Sequence, residues 1–159
     1  MQEEELLKKL RDTCHVPDID TSNFDIRDFI FAFGSPLEAI MYSRIFWPRF
    51  VEIKGMIFLE GTIEDDQDRQ RLAEVFEKYE QDVSRTEEDF NLVEVPSDLF
   101  GRRGGETSEE EDRWLAELLT QMWAARLHSL YPTRQFVVKV LSADETGGEV
   151  GVIFYQRRS

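Results

Sequence analysis

The sequence has little of the residue types that build most metal and redox sites. Its 159 residues include one cysteine and two histidines. A single cysteine excludes an internal disulfide framework. One cysteine and two histidines also fall short of the four ligands that a structural zinc site takes. The sequence therefore predicts no metal site and no cofactor.

Basic residues and long apolar runs are also scarce. The chain has 19 Lys and Arg against 33 Asp and Glu, a formal net charge of −14. Such a surface repels nucleic-acid phosphates and anionic membranes. No apolar run approaches the ~20 residues that cross a bilayer. Residues 1–5 are acidic where a signal peptide would be basic. We therefore expect a soluble, cytoplasmic protein that binds neither nucleic acid nor membranes.

Recognisable catalytic motifs are missing as well. The sequence has no nucleophile elbow, Walker loop, dinucleotide fingerprint or His-Glu-x-x-His motif. Cys14 and His15 are adjacent, so their side chains diverge, whereas a catalytic pair must converge. The loop 101–105 contains two arginines and three glycines but lacks the context of a phosphate-binding loop. The sequence favours a non-enzymatic protein, although catalysis by Asp and Glu alone stays open.

Aromatic residues are plentiful and predict a folded core. The chain has twelve Phe, four Tyr and three Trp, whereas disordered chains are poor in aromatics. A chain of this length can bury roughly two thirds of its unfolded surface. We expect residues 1–159 to form a single domain.

Capping signals and apolar periodicity predict three strong helices, over residues 36–46, 63–83 and 107–130. Ser35-Pro36 is typical of a helix start, because Ser caps the backbone and Pro suits the first helical position. Thr107 and Glu110 match a capping box. A shorter helix is predicted over residues 3–12. Residues 24–33 suit a helix or a strand, and their spacing favours the helix.

Two hairpins complete the predicted architecture. β-Prone residues flank Lys54-Gly55 in the segment 50–59, and a second pair of strands flanks Gly147-Gly148 in the segment 135–156. We expect the two hairpins to join into one small, mostly antiparallel sheet packed against three to five helices. The predicted fold class is α+β.

Most of the negative charge lies in one quarter of the chain. Residues 60–99 contain fourteen acidic and four basic residues, a net charge of −10. Closely spaced carboxylates can bind Mg²⁺ or Ca²⁺, but acidic residues also stabilise a helix N-terminus, and we favour the second interpretation. The carboxylates predicted to contact a partner are Glu64, Asp65, Asp66 and Asp68.

The segment 44–50 is rich in aromatic and basic residues. Trp and Arg are frequent at the centre of protein interfaces, whereas an aromatic run between a helix and a strand is usually part of a core. We favour the core for this segment. If it is exposed, Trp47 and Arg49 are the predicted partner-binding residues.

These features support three hypotheses of function. The first is a non-enzymatic interaction protein, similar to an immunity or inhibitor protein, whose acidic surface masks a basic partner such as a nuclease toxin. The second is a small-molecule-binding protein or enzyme with an aromatic pocket. The third is a homodimer formed through residues 24–33 or 44–50. The predicted aromatic pocket is lined by Trp47, Phe50, Trp114 and Trp123.

Overall fold

A computed structural model describes residues 3–14, 19–101 and 108–157. Within these ranges the chain forms seven α-helices, one π-helix and five strands in two antiparallel sheets. The predicted α+β class is confirmed. Contacts between residues divide the chain into two compact units, Met1–Ser43 and Arg44–Ser159, and we describe each by itself. The assignment of residues 1–159 to one domain stays a prediction.

The first unit is helical, and its second helix resolves the ambiguity of residues 24–33 in favour of the helix. The N–H of Asp28 donates to Asp25 Oδ1 at 2.9 Å, and the N–H of Asp25 donates to Asp28 Oδ2 at 3.0 Å. This reciprocal cap satisfies donors that a helix start otherwise leaves free. The helices are α1 (Glu3–Thr13), α2 (Ile26–Phe33) and α3 (Pro36–Phe46).

Helix α3 has the predicted bounds, but most of the apolar side chains that were predicted to be buried are exposed. Its start is capped as expected, because the N–H of Glu38 donates to Ser35 Oγ at 3.2 Å. The periodicity predicts an inward face of Leu37, Ile40, Met41, Tyr42 and Ile45. It is right for Ile45, which packs against a hydrophobic core. It is wrong for the other four, which are 76%, 62%, 55% and 40% exposed. The helix therefore shows an apolar face to its surroundings.

The second unit contains the predicted hairpin of β1 (Phe50–Ile53) and β2 (Met56–Leu59), paired antiparallel from Phe50 opposite Leu59 to Ile53 opposite Met56. Lys54 and Gly55 form the turn, with φ angles of 51° and 80°. Two positive φ angles match the right-handed twist of the strands, and Gly adopts them at no steric cost.

The C-terminal strands form a separate sheet, so the two predicted hairpins do not join into one. Strand β5 (Gly151–Gln156) is central, with β4 (Phe136–Leu141) antiparallel on one side and the short β3 (Leu92–Glu94) antiparallel on the other. A single helical turn, α7 (Ala143–Thr146), lies between β4 and β5. The second neighbour of β5 is therefore β3 and not a strand of the first hairpin.

The predicted helix over residues 63–83 is two helices, α4 (Asp66–Lys78) and α5 (Val83–Phe90). Glu80 and Gln81 between them have φ angles of 54° and 64°. Asp82 then caps α5 by accepting the N–H of Arg85 at 3.1 Å. The apolar spacing continues across this break, and periodicity therefore could not reveal it.

The long helix α6 (Glu109–Leu130) packs against β4 and β5 and supplies four of the ten described buried residues of one hydrophobic core. Its N-cap is Ser108, which pairs with Glu111, one residue later than predicted. Thr107 lies outside the described residues. Trp123, at 1% exposure, packs edge-on against Phe154 with ring centroids 6.2 Å apart.

A second core lies among the hairpin, α4 and α5. Met56 and Phe58 of β2 belong to it, whereas Ile57 between them belongs to the core around Trp123. Alternate residues of a strand point to opposite faces. The hairpin is therefore covered on both sides, which explains why three successive residues of β2 are buried.

Candidate functional site

The most buried carboxylate of the described residues belongs to Glu87 on α5, which is 0% exposed. Its Oε1 accepts the N–H of Ile57 at 2.6 Å and the side-chain amide of Gln156 at 2.5 Å. Its Oε2 accepts the N–H of Gln156 at 2.6 Å. Three donors from two different sheets thus converge on one side chain.

Neighbouring polar groups extend this arrangement. The Asn91 side chain donates to the carbonyl of Ile57 at 2.8 Å, and Gln156 Nε2 also donates to the carbonyl of Gly55 at 2.9 Å. Ser84 Oγ donates to the carbonyl of Gln156 at 2.6 Å. Buried polar groups need such partners, because an unsatisfied group costs about 1–3 kcal/mol. We interpret Glu87 as a structural tie between β2, α5 and β5 and not as a reactive group.

The predicted acidic run lies at the start of α4, where its carboxylates cap the helix. The N–H of Asp68 donates to Asp65 Oδ1 at 2.9 Å, and the N–H of Glu64 donates to Asp68 Oδ2 at 2.9 Å. The N–H groups of Glu64 and Asp65 both donate to Asp68 Oδ2 and lower the pKa of the Asp68 carboxyl below its usual range. Asp66 accepts from Arg69 at 3.1 Å. The capping interpretation is confirmed for Asp65 and Asp68.

The four basic residues between positions 60 and 99 already have partners. Arg69 pairs with Asp66 and Arg85 with Asp82, at 3.1 and 3.8 Å. The guanidinium of Arg71 lies 4.7 Å from the Phe90 ring centroid, and the ammonium of Lys78 lies 5.0 Å from that of Tyr79. Ten of the fourteen acidic residues of this segment are exposed; they lie in the run before α4, on the two helices, in the turn between them and near the two ends of the segment. The surface therefore keeps a large excess of negative charge, which we call the acidic surface, residues 60–99.

The side chains considered as metal ligands do not come together in a site within the residues that the structure describes. No group of three or more His, Cys, Asp or Glu residues in residues 3–14, 19–101 and 108–157 could hold a metal ion. Cys14 follows α1 and is half-buried. His15 and the arginines of the loop 101–105 lie outside the described residues, so those two hypotheses stay untested.

Trp47 lies on the surface and not in a core, which corrects the favoured interpretation for this ring. The interpretation holds for Ile45, Phe46 and Phe50, which pack against the core around Trp123. Trp47 is 43% exposed, and the guanidinium of Arg126 lies 5.3 Å from its ring centroid. Arg49 is exposed and pairs with Glu60 at 3.6 Å. Pro48 is buried and accepts a hydrogen bond from Arg126 Nε at 3.4 Å. Trp47 and Arg49 are therefore accessible to a partner.

The rings that were predicted to line an aromatic pocket lie in different environments. Trp123 is a core residue whose Nε1–H donates to the carbonyl of Ile45 at 2.8 Å. Phe50 packs edge-on against Phe154 at 5.2 Å. Trp114 is half-buried on α6, and Trp47 is exposed. These positions do not favour the aromatic-pocket hypothesis.

A cavity of about 490 Å³ opens between the end of α6 and β4. We call it the basic cavity, because three of its eight lining residues are Arg or His and none is acidic. No motif in the sequence marks this cavity; the only signal is the net charge of +1 that residues 134–159 carry in this acidic chain. The lining residues are Ala124, His128, Arg134, Gln135, Phe136, Val137, Val138 and Arg157.

An ion pair with a stacked ring lies at the edge of this cavity. Arg134 Nη2 donates to Glu52 Oε1 at 2.7 Å, and the guanidinium lies 5.2 Å from the Tyr131 ring centroid. Burial, reinforced by the charge of Glu52, raises the pKa of the Tyr131 hydroxyl above its usual value. The phenol therefore stays protonated at neutral pH and does not act as a base.

The first unit exposes large apolar side chains along α2 and α3. Phe31 is 92% exposed and Ile30 is 65% exposed, next in sequence to the exposed face of α3. Exposed apolar surface of this kind marks an interaction site where it forms a contiguous patch. No helix of the described residues is both long enough and apolar enough to span a membrane.

Comparison of the chain with protein-family models, with curated proteins and with solved structures gives no significant match. The interpretation of its function therefore rests on the geometry above.

Proposed function

We propose that this protein is a non-enzymatic interaction module that binds a basic protein partner through the acidic surface, residues 60–99. The partner class is a protein whose own function needs exposed Lys and Arg, such as a nuclease whose substrate site attracts phosphates. Binding would mask that site, as immunity and inhibitor proteins do.

The observation that carries this proposal is the unbalanced charge of residues 60–99, half of whose acidic residues lie outside α4 and α5. The four basic residues of this segment are paired with carboxylates or lie over rings, as described above, while fourteen acidic residues occupy the same forty positions. The carboxylates of Glu74 and Glu77 on α4 accept only side-chain amides, from Gln70 and Gln81. Such groups are free to meet cations of a partner.

The physical consequence is attraction at a distance. A surface of one charge sign steers an oppositely charged partner and raises its association rate, by about 10–10³-fold in favourable cases. Trp47 and Arg49 belong to the same unit and are accessible, so they are candidates for short-range contacts. Exposed Trp and Arg often contribute much of the binding energy at interfaces.

Charge reversal on the acidic surface tests this proposal. The immobilised protein is incubated with a lysate of its source cells, and captured proteins are identified by mass spectrometry. We expect basic proteins among those captured, and we expect the Glu74→Lys/Glu77→Lys variant to lose them. Both glutamates are exposed on α4, so the reversal leaves the hydrophobic cores intact.

The matched control is the Glu110→Lys/Glu117→Lys variant, which makes the same change in net charge at exposed positions of α6. Retention of the basic partner by this control, together with its loss from the α4 variant, supports the acidic surface as the docking site. Equal loss from both variants would show a nonspecific charge effect and would contradict the proposal.

A second candidate function is homodimer formation through residues 24–33. The observation that favours it is the exposure of Ile30 and Phe31 on α2 beside the exposed face of α3. On α3 the acidic Glu38 lies near the start and the basic Arg44 near the end. Antiparallel pairing of two copies of α3 would bring these opposite charges together and bury the apolar face.

A further inference from the structure

The basic cavity is chemically unlike the rest of this acidic molecule. We propose that it binds a small organic anion, in which a carboxylate or phosphate head is attached to an apolar body. This inference is independent of the proposed protein partner, because it concerns α6 and β4 and not the acidic surface.

Arg134 offers a donor that the fold does not use. Its Nη2 is occupied by Glu52, whereas Nη1 is buried and has no hydrogen-bond partner among the described residues. Buried donors are almost always satisfied, so each exception calls for an explanation. Arg134 lines the cavity, so a small shift of its side chain would bring this donor to a bound anion. A guanidinium forms strong charge-assisted hydrogen bonds with carboxylates and phosphates.

The orientation of Arg134 is set before a ligand arrives. The guanidinium is held by Glu52 on one side and lies over the Tyr131 ring, as described above. The N–H of Arg134 also donates to the carbonyl of Tyr131 at 3.0 Å, which closes a turn at the end of α6. A cationic group that is already positioned loses little conformational entropy on binding.

Arg157 and His128 supply further donors from two other elements. The N–H of Arg157 donates to the carbonyl of Gln135 at 2.8 Å, which places its backbone beside the loop that carries Arg134. Within the described ranges the guanidinium of Arg157 has no hydrogen bond or ion pair. His128 lines the cavity from the last turn of α6.

The volume of the basic cavity and its apolar lining residues indicate which apolar group the anion should carry. A volume of about 490 Å³ is within the usual range for small-molecule sites, and it exceeds what an inorganic anion fills. Phe136, Val138 and Ala124 supply apolar surface in the same cavity. A ring or a short aliphatic chain would contact them while its head meets the arginines.

The test is a titration of the ¹⁵N-labelled protein with four probes: benzoate, phenyl phosphate, inorganic phosphate and neutral benzamide. We expect benzoate or phenyl phosphate to shift the amide signals of residues 134–138 and 157 at millimolar concentration. Benzamide tests the need for charge, and inorganic phosphate tests the need for the apolar body. Both are expected to bind at least about tenfold more weakly, because each lacks one set of contacts.

Two arginine variants with the same change in charge distinguish specific binding in the cavity from nonspecific attraction between the anion and the positive charges of the protein. Arg157→Gln should weaken binding of the better probe by about tenfold, since one charge-assisted contact is lost. Arg69→Gln removes an exposed arginine of α4 that is not among the lining residues and should leave binding unchanged. The unfolding midpoint of each variant shows whether the fold is retained.

Three outcomes would overturn the inference. The first is the absence of any shift with either organic anion. The second is equal binding of benzoate and benzamide, which would show that charge plays no part. The third is equal binding by the folded Arg157→Gln and Arg69→Gln variants, which would place the anion elsewhere.

Discussion

Glu87 shows how one residue in a strongly acidic segment can serve the fold alone. Its carboxylate is 0% exposed and accepts donors from Ile57 and Gln156, thirty and sixty-nine positions away in the sequence. The neighbouring Glu88 is half-buried and has only a 3.9 Å ion pair with Lys139. Two adjacent glutamates therefore have different roles, and only the three-dimensional structure separates them.

Substitution of Glu87 by glutamine tests this role. The new amide group keeps one acceptor, but its NH₂ faces a donor, so at least one buried N–H loses its partner. We expect Glu87→Gln to lower the free energy of unfolding by about 1–3 kcal/mol. Urea denaturation measures the effect.

The neighbouring substitution Glu88→Gln is the control and should change the free energy of unfolding by less than about 0.5 kcal/mol, since a long ion pair between side chains that stay in contact with solvent contributes little. Equal effects of the two substitutions would show that the hydrogen bonds of Glu87 do not stabilise the fold.

The cap of α4 predicts a specific dependence on pH. The pKa of the Asp68 carboxyl is lower in the folded chain than the ordinary value of 3.8. Its stabilising contribution is therefore complete well above 3.8 and is lost as the pH falls through the lowered pKa. We expect Asp68→Asn to be less sensitive to acid over that window than the wild type.

The midpoint of thermal unfolding, measured at several pH values between 5 and 2, tests this prediction. Asp66→Asn is the matched control, because the Asp66 side chain is paired with Arg69 and not with the helix N-terminus. Parallel pH profiles for the wild type and Asp68→Asn would contradict the capping account.

The helix caps could be predicted from the sequence, whereas hydrogen bonds between residues that are distant in the sequence could not. Ser35 and the acidic run before α4 cap their helices as expected, because a cap involves residues three or four positions apart. The buried role of Glu87 and the open donor of Arg134 depend on elements that meet only in the folded chain. No spacing rule distinguishes Glu87 among the fourteen acidic residues of its segment.

At the scale of elements, the turn between α4 and α5 shows the limit of periodicity. Glu80 and Gln81 adopt left-handed backbone conformations, which cost about 1–2 kcal/mol for residues with a Cβ. The sequence contains no glycine there, so nothing in the pattern marks a helix end. The break lets α5 pack against β2 and β5 and carry Glu87 to its donors.

Gln81→Gly tests the strain at this turn. Glycine adopts the φ angle of 64° without a steric penalty but loses more entropy on folding. We therefore expect a net gain of about 0.5–1 kcal/mol in the free energy of unfolding. The same substitution at Gln70, inside α4, should instead cost about 1 kcal/mol. Chemical denaturation measures both, and destabilisation by Gln81→Gly would contradict the assigned turn.

The strands were predicted more accurately than their arrangement. The hairpin 50–59 follows from β-prone residues around Lys54-Gly55, which is local information. The pairing of β3 with β5 joins residues about sixty positions apart. It leaves the first hairpin as a separate sheet between two cores, and no local pattern contains that information.

At the scale of the whole molecule, the positions of the charged residues say more about possible binding sites than the net charge does. The acidic surface and the basic cavity occur in one unit of the chain, and we propose different classes of ligand for them. The first suits a basic protein and the second a small organic anion. The net charge of −14 bears on solubility. It does not reveal that the chain has both an acidic surface and a basic cavity.

The exposed apolar face of α2 and α3 predicts self-association. We expect the mass from size-exclusion chromatography with light scattering to rise towards that of a dimer with protein concentration. Phe31→Asp should lower this tendency, because a charge would replace an apolar side chain that is 92% exposed. Leu118→Asp, at a 38% exposed position of α6, is the control. A constant monomer mass would contradict the homodimer hypothesis.

The central claim is that the acidic surface binds a basic protein, and the dependence of affinity on salt tests it most directly. The captured partner is titrated against the protein at increasing NaCl concentration. The Debye length falls from about 10 Å at 0.1 M to about 3 Å at 1 M salt. We predict that the dissociation constant rises steeply over this range and that Glu74→Lys/Glu77→Lys removes most of the rise. An affinity independent of salt would contradict the claim.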